Sequence, residues 1–294
     1  MTSANPTVTV IIATYNRSEV LPFAIGSVLD QTFEDFELLV VGDGCTDDSG
    51  QVVESIGDPR LRWINLPSNS GHQSAANNEG LRQARGDIIA YLGHDDLWLP
   101  HHLGCLVAAI EDGADLAFGV TRMVDPPGRD GAEFLPAVPY RSGRSLAPSS
   151  VAHRRSLVER LGGWPDYRTL GGDPETALWQ RFHEAGCRLV PVPRLVTVKF
   201  PARWRRNVYR ERPWHEQARW LERIRQEEHF EAVELASMLS RLEARNPVDS
   251  RYAALVAMLW HETIRRFGRR LRHRSFLRRK GRGAIEESRA FKGL

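Results

Sequence analysis

Apolar residues in the first 120 positions alternate between short continuous runs and runs at helical spacing. Continuous runs rich in β-branched residues, such as residues 8–13, predict strands that are buried on both faces of a sheet. Apolar positions three or four apart, as in residues 18–31, predict helices, here with Ser18 as the N-cap. We expect strands at 8–13, 36–41, 61–66, 88–92 and 116–120, and helices at 18–31, 47–56, 74–85 and 100–111. Gly86 would stop the third helix, and Pro100 would open the fourth. This alternation is typical of an α/β sheet.

Eight prolines and glycines interrupt the pattern between residues 124 and 149. They break any long element, and a long loop in a compact domain is usually functional or mobile. Regular structure is predicted to resume near residue 150, with a helix at 174–185 and strands at 189–192 and 196–200. From residue 214 the pattern is almost wholly helical. We expect one helix to about residue 245, a break at Asn246-Pro247, and a second helix from about residue 249.

The composition is that of a soluble globular protein, since 41% of the residues are hydrophobic and 26% are charged. No apolar run approaches the ~20 residues that span a bilayer, and the first residues lack the basic start and apolar core of a signal peptide. Cys45, Cys105 and Cys187 are widely spaced and odd in number, which favours neither a disulfide framework nor a zinc site. A reducing cytoplasm is the simplest setting.

Polar residues follow three of the predicted strands, at Thr14-Tyr15-Asn16-Arg17, at Gly42-Asp43-Gly44 and at Gly93-His94-Asp95-Asp96. Ligands bind at strand ends in open α/β sheets. Two carboxylates at such an end can hold a divalent cation, which can in turn hold a diphosphate. Acids after a strand also cap the following helix, so the aspartate pair alone leaves both interpretations open.

The ordered set of these segments resembles the nucleotide-sugar half of the family 2 glycosyltransferases. The set also includes residues 69–80 before the aspartates. The acceptor side of the family is matched by Gly162-Gly163-Trp164-Pro165-Asp166 and by residues 172–181. The resemblance covers roughly residues 6–200. It implies a GT-A fold, which is a Rossmann-like, mostly parallel sheet flanked by helices. The implied activity is the inverting transfer of a sugar from a nucleotide-diphospho-sugar to an acceptor hydroxyl.

The resemblance also implies a division of the chain. Residues 1–205 would form the catalytic domain, with a nucleotide-sugar half over 6–120 and an acceptor half over 121–205. Residues 206–294 would form a helical C-terminal extension with a basic tail.

In the nucleotide-sugar half, the resemblance implies that the strand end at Thr14 and Tyr15 lines the base and ribose site, with Arg17 nearby. Asp43 matches an acid that accepts a hydrogen bond from the base. An aspartate in a tight turn before Gly44 is the structural alternative.

Asp95 matches the acid that ligates Mg²⁺ or Mn²⁺ and bridges it to the diphosphate, where the cation stabilises the leaving nucleoside diphosphate. His94 and Asn78 complete the implied nucleotide-sugar-binding set. A lone histidine such as His94 is at least as often a packing or hydrogen-bonding residue.

Three positions depart from the family pattern. Gly42 replaces the first of two acids, Gly93 replaces the first aspartate of the Asp-x-Asp motif, and Asn77 replaces an arginine. Each departure removes one contact to base, ribose or phosphate, so the donor base and the affinity for metal stay open.

On the acceptor side, the resemblance places Glu175 where the family has its catalytic base, with Asp173 as the second candidate. An inverting transfer needs one carboxylate to take the proton of the acceptor hydroxyl. In the structural alternative, Asp173 caps a helix and Glu175 favours the positive end of that helix.

A basic loop follows the last predicted strand. Family members often close a mobile loop here over the diphosphate, and Arg203, Arg205 and Arg206 could clamp phosphate through charge-assisted hydrogen bonds. A solvated basic loop explains the same residues equally well.

The basic tail, residues 265–282, holds ten Lys or Arg and no acid, interleaved with apolar residues. A basic amphipathic helix can lie on an anionic membrane surface, which would suit a lipid-linked acceptor and the inner face of a membrane. A solvated face or an oligomer contact fits as well. Because no nucleic-acid motif accompanies the charges, we expect no specific nucleic-acid partner.

The expected partners are a UDP, GDP or dTDP sugar and a sugar or lipid-linked acceptor, as in cell-envelope polysaccharide or glycolipid synthesis. A nucleotidyltransferase would need a glycine-rich phosphate loop with a lysine, and residues 13–20 offer none. A non-catalytic nucleotide-sugar-binding module is the alternative, in which Gly42, Gly93 and Asn77 reflect loss of an active site.

Overall fold

The structure is a computed structural model that describes residues 5–126, 140–245 and 289–293, without the side chains of 242–245. The strands are β1 (Val8–Thr14), β2 (Phe36–Gly42), β3 (Leu61–Asn65), β4 (Ile88–Gly93), β5 (Leu97–Trp98), β6 (Leu116–Met123), β7 (Val151–Arg154) and β8 (Leu189–Lys199). The helices are α1 (Leu21–Leu29), α2 (Ser49–Ser55), α3 (Gln73–Gln83), α4 (His102–Glu111), α5 (Arg155–Leu161), α6 (Pro174–Glu184), α7 (Val208–Glu211), α8 (His215–Gln226) and α9 (Phe230–Arg245).

The eight strands form one sheet in the order β3-β2-β1-β4-β7-β6-β8-β5. The first four strands in this order are parallel, as the continuous apolar runs predict. The other side of the sheet is mixed, because β7 runs antiparallel to both β4 and β6 while β8 runs parallel to β6. The predicted α/β sheet flanked by helices is confirmed.

The register of the parallel strands brings the polar strand ends to one edge. Thr14 lies opposite Gly42, and Ala13 lies opposite Gly93. The chain order reverses between β1 and β4, since β2 and β3 lie on the far side of β1. A ligand crevice is expected at this switch point, beyond the carboxyl ends of the two strands.

Helices cover both faces of the sheet. On one face, α1 and α4 bury Leu21, Ile25, Leu103 and Leu106 against β1, β2 and β4. On the other face, α3, α5 and α6 bury a second set of apolar side chains against the same sheet, among them Ala76, Leu157, Leu178, Trp179 and Phe182. Burial of both faces fixes the register of the strands, because a shift of one residue would reverse every side chain.

The C-terminal helices α8 and α9 pack against the sheet. Trp220 and Leu221 of α8 and Phe230 of α9 share a buried cluster with Leu97 and Val120. None of the helices in the described ranges combines the length and apolar character that crossing a bilayer requires. The second predicted helix, from residue 249, and the basic tail lie outside the described residues, as do residues 127–139 of the predicted loop.

The prediction of one helix over 214–245 is wrong, because the chain leaves the helical conformation at Glu227, whose backbone is extended. The break turns α9 so that the edge of the Phe230 ring packs on Trp220, with ring centroids 5.9 Å apart. Apolar spacing continues across the break, which is why the sequence pattern does not reveal it.

Three predicted helix ends also differ. Helix α1 begins at Leu21 rather than at Ser18, whose backbone N–H donates to the Asp47 carboxylate 3.3 Å away. Helix α3 ends at Gln83, before Gly86, where a Cβ atom would lie 2.5 Å from the backbone nitrogen of Thr9. Gly86 is therefore required by close packing, not by the end of a helix. Helix α4 begins at His102, two residues after Pro100.

Two strand predictions also change. The predicted strands at 189–192 and 196–200 form the single strand β8, whose pairing with β6 shifts register near Val120. The two-residue strand β5, which pairs with the end of β8, is not predicted from the sequence.

Candidate active site

A cavity of about 80 Å³ lies at the switch point between β1 and β4. The strand ends contribute Ala13, Thr14, Tyr15, Asp43 and His94 to its wall. The other lining residues are Asn69, Gly71, His72, Gln73, Tyr209 and Arg289. Four of the predicted donor residues thus line one cavity, namely Thr14, Tyr15, Asp43 and His94. Their common position follows from the register of the parallel strands.

Asp43 organises the loop that forms one side of the cavity. Its carboxylate accepts hydrogen bonds from the backbone N–H of Ser70, at 3.0 and 3.1 Å, and from the Ser70 hydroxyl, at 3.0 Å. Gly44 follows with φ +71°, and a Cβ atom there would lie 2.4 Å from the Asn69 nitrogen. Asp43 therefore has the structural role of an aspartate in a tight turn before Gly44, and it also lines the cavity.

Two buried polar side chains near the strand ends have atoms that form no hydrogen bond within the described residues. The Thr14 hydroxyl has no hydrogen-bond partner in the described chain. Arg17 is 1% exposed; its Nη2 donates to the Pro213 carbonyl at 3.5 Å, while Nε and Nη1 lack partners among the described residues. Its guanidinium lies 5.3 Å from the centre of the Tyr209 ring. Because a buried cation needs compensation, Arg17 favours an anionic ligand in this crevice.

The adjacent aspartates take different positions. Asp96 is fully buried and accepts hydrogen bonds from the Ser149 hydroxyl, the Lys199 ammonium and the Phe200 backbone N–H. Its carboxylate is thus bound to protein groups and supports the strand ends. Asp95 is half-buried, and within the described residues only its backbone carbonyl accepts a hydrogen bond, from the Gln217 side chain at 3.4 Å.

Asp95 is held in its ionised form. Burial tends to raise the pKa of Asp95, but the basic side chains of His94, Lys199 and Arg17 hold that pKa below its usual value. Burial lowers the pKa of His94 to about 4, so this imidazole is neutral near pH 7. Its Nδ1 is buried without a hydrogen-bond partner in the described residues, and its Nε2 lies 3.4 Å from the Tyr209 hydroxyl.

The side chains of Asp95 and His94 are suited to bind the divalent cation that the resemblance implies. An ionised carboxylate and a neutral imidazole with an unpartnered nitrogen are ligand groups, and Mg²⁺ commonly takes its remaining ligands from substrate phosphates and water. Within the described ranges, no group of three or more His, Cys, Asp or Glu could hold a metal by itself. Asp95 and His94 would therefore supply only a partial coordination shell.

Packing explains two of the three departures from the family pattern. A Cβ atom on Gly42 would lie 2.5 Å from the Asn65 side-chain oxygen and 2.7 Å from the Trp63 ring. A Cβ atom on Gly93 would lie 2.8 Å from the Asp96 carboxylate. Neither site has room for the missing acid, because other side chains of this sequence already fill it.

Asn78 connects the predicted nucleotide-sugar half to the predicted acceptor half. Its side-chain amide donates to the Trp164 carbonyl, and its oxygen accepts from the Trp164 backbone N–H, both at 2.8 Å. Asn78 does not line the cavity. The structure gives this residue a connecting contact, and its place in the nucleotide-sugar site stays a prediction.

The acceptor-side carboxylates lie at the start of α6. Asp173 occupies the N-cap position, is buried, and accepts a hydrogen bond from the Thr176 hydroxyl. Glu175 lies in the first turn and is half-buried. Burial tends to lower the pKa of Lys199, but the carboxylates of Asp96, Asp95 and Glu175 raise it. The carboxylates of Asp95 and Glu175 therefore both stabilise the charged form of one ammonium group, although they come from the two different predicted halves of the domain.

The basic loop divides into buried and exposed arginines. Arg205 is buried; its guanidinium donates to Glu216 at 2.8 Å and to the Val124 carbonyl at 3.3 Å. Arg203 and Arg206 are exposed. Arg205 is thus placed as an internal anchor of the loop, which leaves Arg203 and Arg206 as the accessible candidates for a phosphate contact.

Four basic or aromatic residues at this site were not predicted, namely Lys199, Tyr209, Arg289 and Lys292. The position of Lys199 at the end of β8 follows the same strand-end rule as Thr14. Tyr209, Arg289 and Lys292 reach the site through tertiary packing of distant segments, for which the sequence offers no local signal.

Comparison with known proteins identifies the family. A family model described as glycosyl transferase family 2 matches residues 9–149. A Bacillus subtilis protein named as a glycosyltransferase, EpsE, is 30% identical over 194 residues, which cover 63% of this chain and 70% of EpsE. The chain belongs to glycosyltransferase family 2. This glycosyltransferase spans about half the length of several other curated relatives that it matches.

Two solved structures share the fold of this family 2 glycosyltransferase. Residues 1–349 of Staphylococcus aureus TarS, in complex with UDP-GlcNAc, align with TM-score 0.58 and 20% identity over 83% of this chain and 74% of that one. The mannosyltransferase PcManGT of Pyrobaculum calidifontis, in complex with GDP-Man and Mn²⁺, aligns with TM-score 0.55 and 20% identity over 88% and 81%. The predicted GT-A fold is confirmed.

Proposed function

We propose that this family 2 glycosyltransferase moves a sugar from a nucleotide-diphospho-sugar to an acceptor hydroxyl with inversion at the anomeric carbon. The observation that carries the proposal is that the carboxylates of Asp95 and Glu175 both raise the pKa of Lys199, so that both lie near one ammonium group. One carboxylate comes from the donor half and the other from the acceptor half. An inverting transfer needs this pairing of a leaving-group site with a base.

The donor part of the proposal rests on charge and shape. The cavity lies at the strand ends. Arg17 and Lys199 place positive charge near Asp95, where we propose that the diphosphate binds. The two structural neighbours hold UDP-GlcNAc and GDP-Man, so donors with different bases occur on this fold. We therefore propose a UDP, GDP or dTDP sugar without choosing the base. Asp43 and Tyr15 line the cavity and are the proposed contacts to base and ribose.

The proposed enzyme depends on Mg²⁺ or Mn²⁺. Asp95 and His94 would hold the cation, which would supply Lewis-acid stabilisation to the departing nucleoside diphosphate. The neighbour that holds Mn²⁺ together with GDP-Man supports this assignment.

Glu175 is the proposed catalytic base. Its carboxylate would accept the proton of the acceptor hydroxyl as that oxygen attacks the sugar. Asp173 is the weaker candidate, because it is buried and bonded to Thr176. We place the acceptor in the class of sugars or lipid-linked sugars, as in cell-envelope polysaccharide or glycolipid synthesis. The proposed location is the cytoplasm or the inner face of the membrane.

The alternative of a non-catalytic binding module is weakened by the packing at the two glycines. Trp63 and Asn65 fill the space beside Gly42, and Asp96 fills the space beside Gly93. These glycines therefore belong to a well-packed site rather than to one that has lost its function.

A donor screen tests the proposed function. The full chain is incubated with UDP, GDP and dTDP sugars, with Mn²⁺ or with EDTA, and release of the nucleoside diphosphate is measured. We expect turnover of at least one donor, abolished by EDTA. Calorimetry with the same donors separates binding from turnover: binding without release would favour the non-catalytic module, and absence of both would contradict the proposal.

A further inference from the structure

The C-terminal segment, residues 289–293, contributes Arg289 to the wall of the switch-point cavity. At one end, Arg289 donates hydrogen bonds to the Gly71 carbonyl and to the Asn69 side-chain oxygen, the latter at 3.3 Å. At the other end, the Phe291 carbonyl accepts a hydrogen bond of 2.7 Å from the Asn207 backbone N–H. The segment therefore bridges the loop organised by Asp43 and the chain that follows the basic loop.

Two glycines show how closely this segment is packed. Gly71 has φ +95°, and a Cβ atom there would lie 2.9 Å from Arg289 and 2.8 Å from the Tyr167 hydroxyl. A Cβ atom on Gly293 would lie 2.7 Å from the Arg210 side chain. The donor loop, the acceptor half and the C-terminal segment thus meet at Gly71, where no side chain fits.

The segment adds two cations and no acid to the site. Arg289 lines the main cavity and also a neighbouring one that is formed with Tyr15, Asn16 and Tyr209. A guanidinium has five N–H donors, so its bonds to Gly71 and Asn69 leave others for a ligand. Lys292 is half-buried, and burial lowers the pKa of its ammonium group. The negative charges of Asp95 and Glu175 oppose this shift.

We propose that the C-terminal segment is part of the donor site, with Arg289 and Lys292 as ligands of the nucleoside diphosphate. Arg289 lines the cavity together with Asp43 and would contact the nucleoside end. Lys292 follows Phe291, whose carbonyl is bound to the Asn207 N–H, and would offer its ammonium group to the diphosphate. The inference rests on the proposed function. It adds binding residues from a part of the chain that the family model, which matches residues 9–149, does not reach.

Calorimetry with the full chain tests this assignment, with UDP, GDP and dTDP as ligands in the presence of Mn²⁺. A charge-assisted hydrogen bond contributes about 1.5–3 kcal/mol, so Arg289→Gln and Lys292→Gln should each weaken binding by roughly tenfold or more. Lys292→Arg retains the charge and should bind within about threefold of the unmodified chain. The matched control is Arg82→Gln on α3, where the arginine is exposed and paired with Glu79.

The outcomes separate this inference from the function on which it rests. Binding of uridine, guanosine or thymidine, which lack phosphates, should change less for Lys292→Gln than binding of the diphosphates. If the unmodified chain binds no diphosphate, the proposed function fails and this inference fails with it. If the unmodified chain binds while Arg289→Gln and Lys292→Gln bind equally well or more tightly, this inference alone fails. Thermal unfolding of each variant confirms that it is folded.

Discussion

Two parts of the candidate site are built in different ways. Thr14, Asp43 and His94 lie at the ends of three parallel strands that are adjacent in the sheet, and the sheet register aligns them. In the other part, Glu175 begins a helix, Lys199 ends β8, and the C-terminal segment comes from a region distant in sequence. The first arrangement is local in the sheet, whereas the second depends on contacts between segments that are distant in sequence.

This difference decides what the sequence could predict. Buried parallel strands show as continuous apolar runs, so the strands β1 to β4 and the polar residues after them were predictable. The break at Glu227 was not, because apolar spacing continues through it. The internal position of Arg205 and the contact between Asn78 and Trp164 were also unpredictable, since both depend on partners more than ten positions away.

The same comparison explains the departures from the family pattern. Gly42 and Gly93 looked like missing acids in the sequence, but the side chains that fill their space are Trp63, Asn65 and Asp96. Only Asp96 is close to its glycine in sequence. The sequence motif shows only that an acid is absent at each glycine, whereas the structure shows which side chains occupy its space.

The largest expected effect is loss of transfer on removing the proposed base. Glu175→Gln keeps the shape of the side chain but cannot accept a proton, so transfer should fall by roughly 10²- to 10⁴-fold. Donor binding by calorimetry should stay near that of the unmodified chain. Asp173→Asn is the matched control, and we expect it to retain most of the transfer activity. Full activity in Glu175→Gln would remove this residue from its proposed role.

Acid should destabilise the fold through histidines buried outside the donor strand ends. Burial lowers the pKa of His102 to about 3 and that of His153 to about 4. The unfolded chain binds these protons near the ordinary pKa of about 6.5, so stability falls as the pH drops below that value. Each histidine contributes a loss of about 1.4 kcal/mol per pH unit.

Urea unfolding at pH 7, 6 and 5 measures this loss. Most carboxyl groups titrate below this window, near pH 4, so the histidines should dominate the change. A free energy of unfolding that is constant between pH 7 and pH 5 would contradict the assignment of neutral, buried imidazoles.

On the donor side, Asp95→Asn should abolish the effect of Mn²⁺ on donor binding. Removal of the carboxylate removes the strongest proposed ligand of the cation, so we expect at least a tenfold weaker affinity with Mn²⁺. Without metal, the variant and the unmodified chain should bind alike. Calorimetry in Mn²⁺ and in EDTA provides the comparison, and an undiminished response to Mn²⁺ would place the metal elsewhere.

The smallest effect concerns the contact that joins the two halves. Asn78→Ala leaves the N–H and carbonyl of Trp164 without their partners, which should lower the free energy of unfolding by about 1–3 kcal/mol. Arg82→Ala, on the exposed face of the same helix, should change it by less than about 0.5 kcal/mol. Urea unfolding compares the two variants. Equal stability would mean that the halves are held together mainly by other contacts.

Hydrogen exchange of the full chain, with and without a nucleotide-diphospho-sugar and Mn²⁺, tests the central claim most directly. The claim is that the donor binds at the switch point between β1 and β4. We predict slower exchange of backbone amides at residues 14–17, 43–46, 69–73 and 93–96, and no change in α9. Donor binding accompanied by protection elsewhere, with these four segments unchanged, would contradict the account.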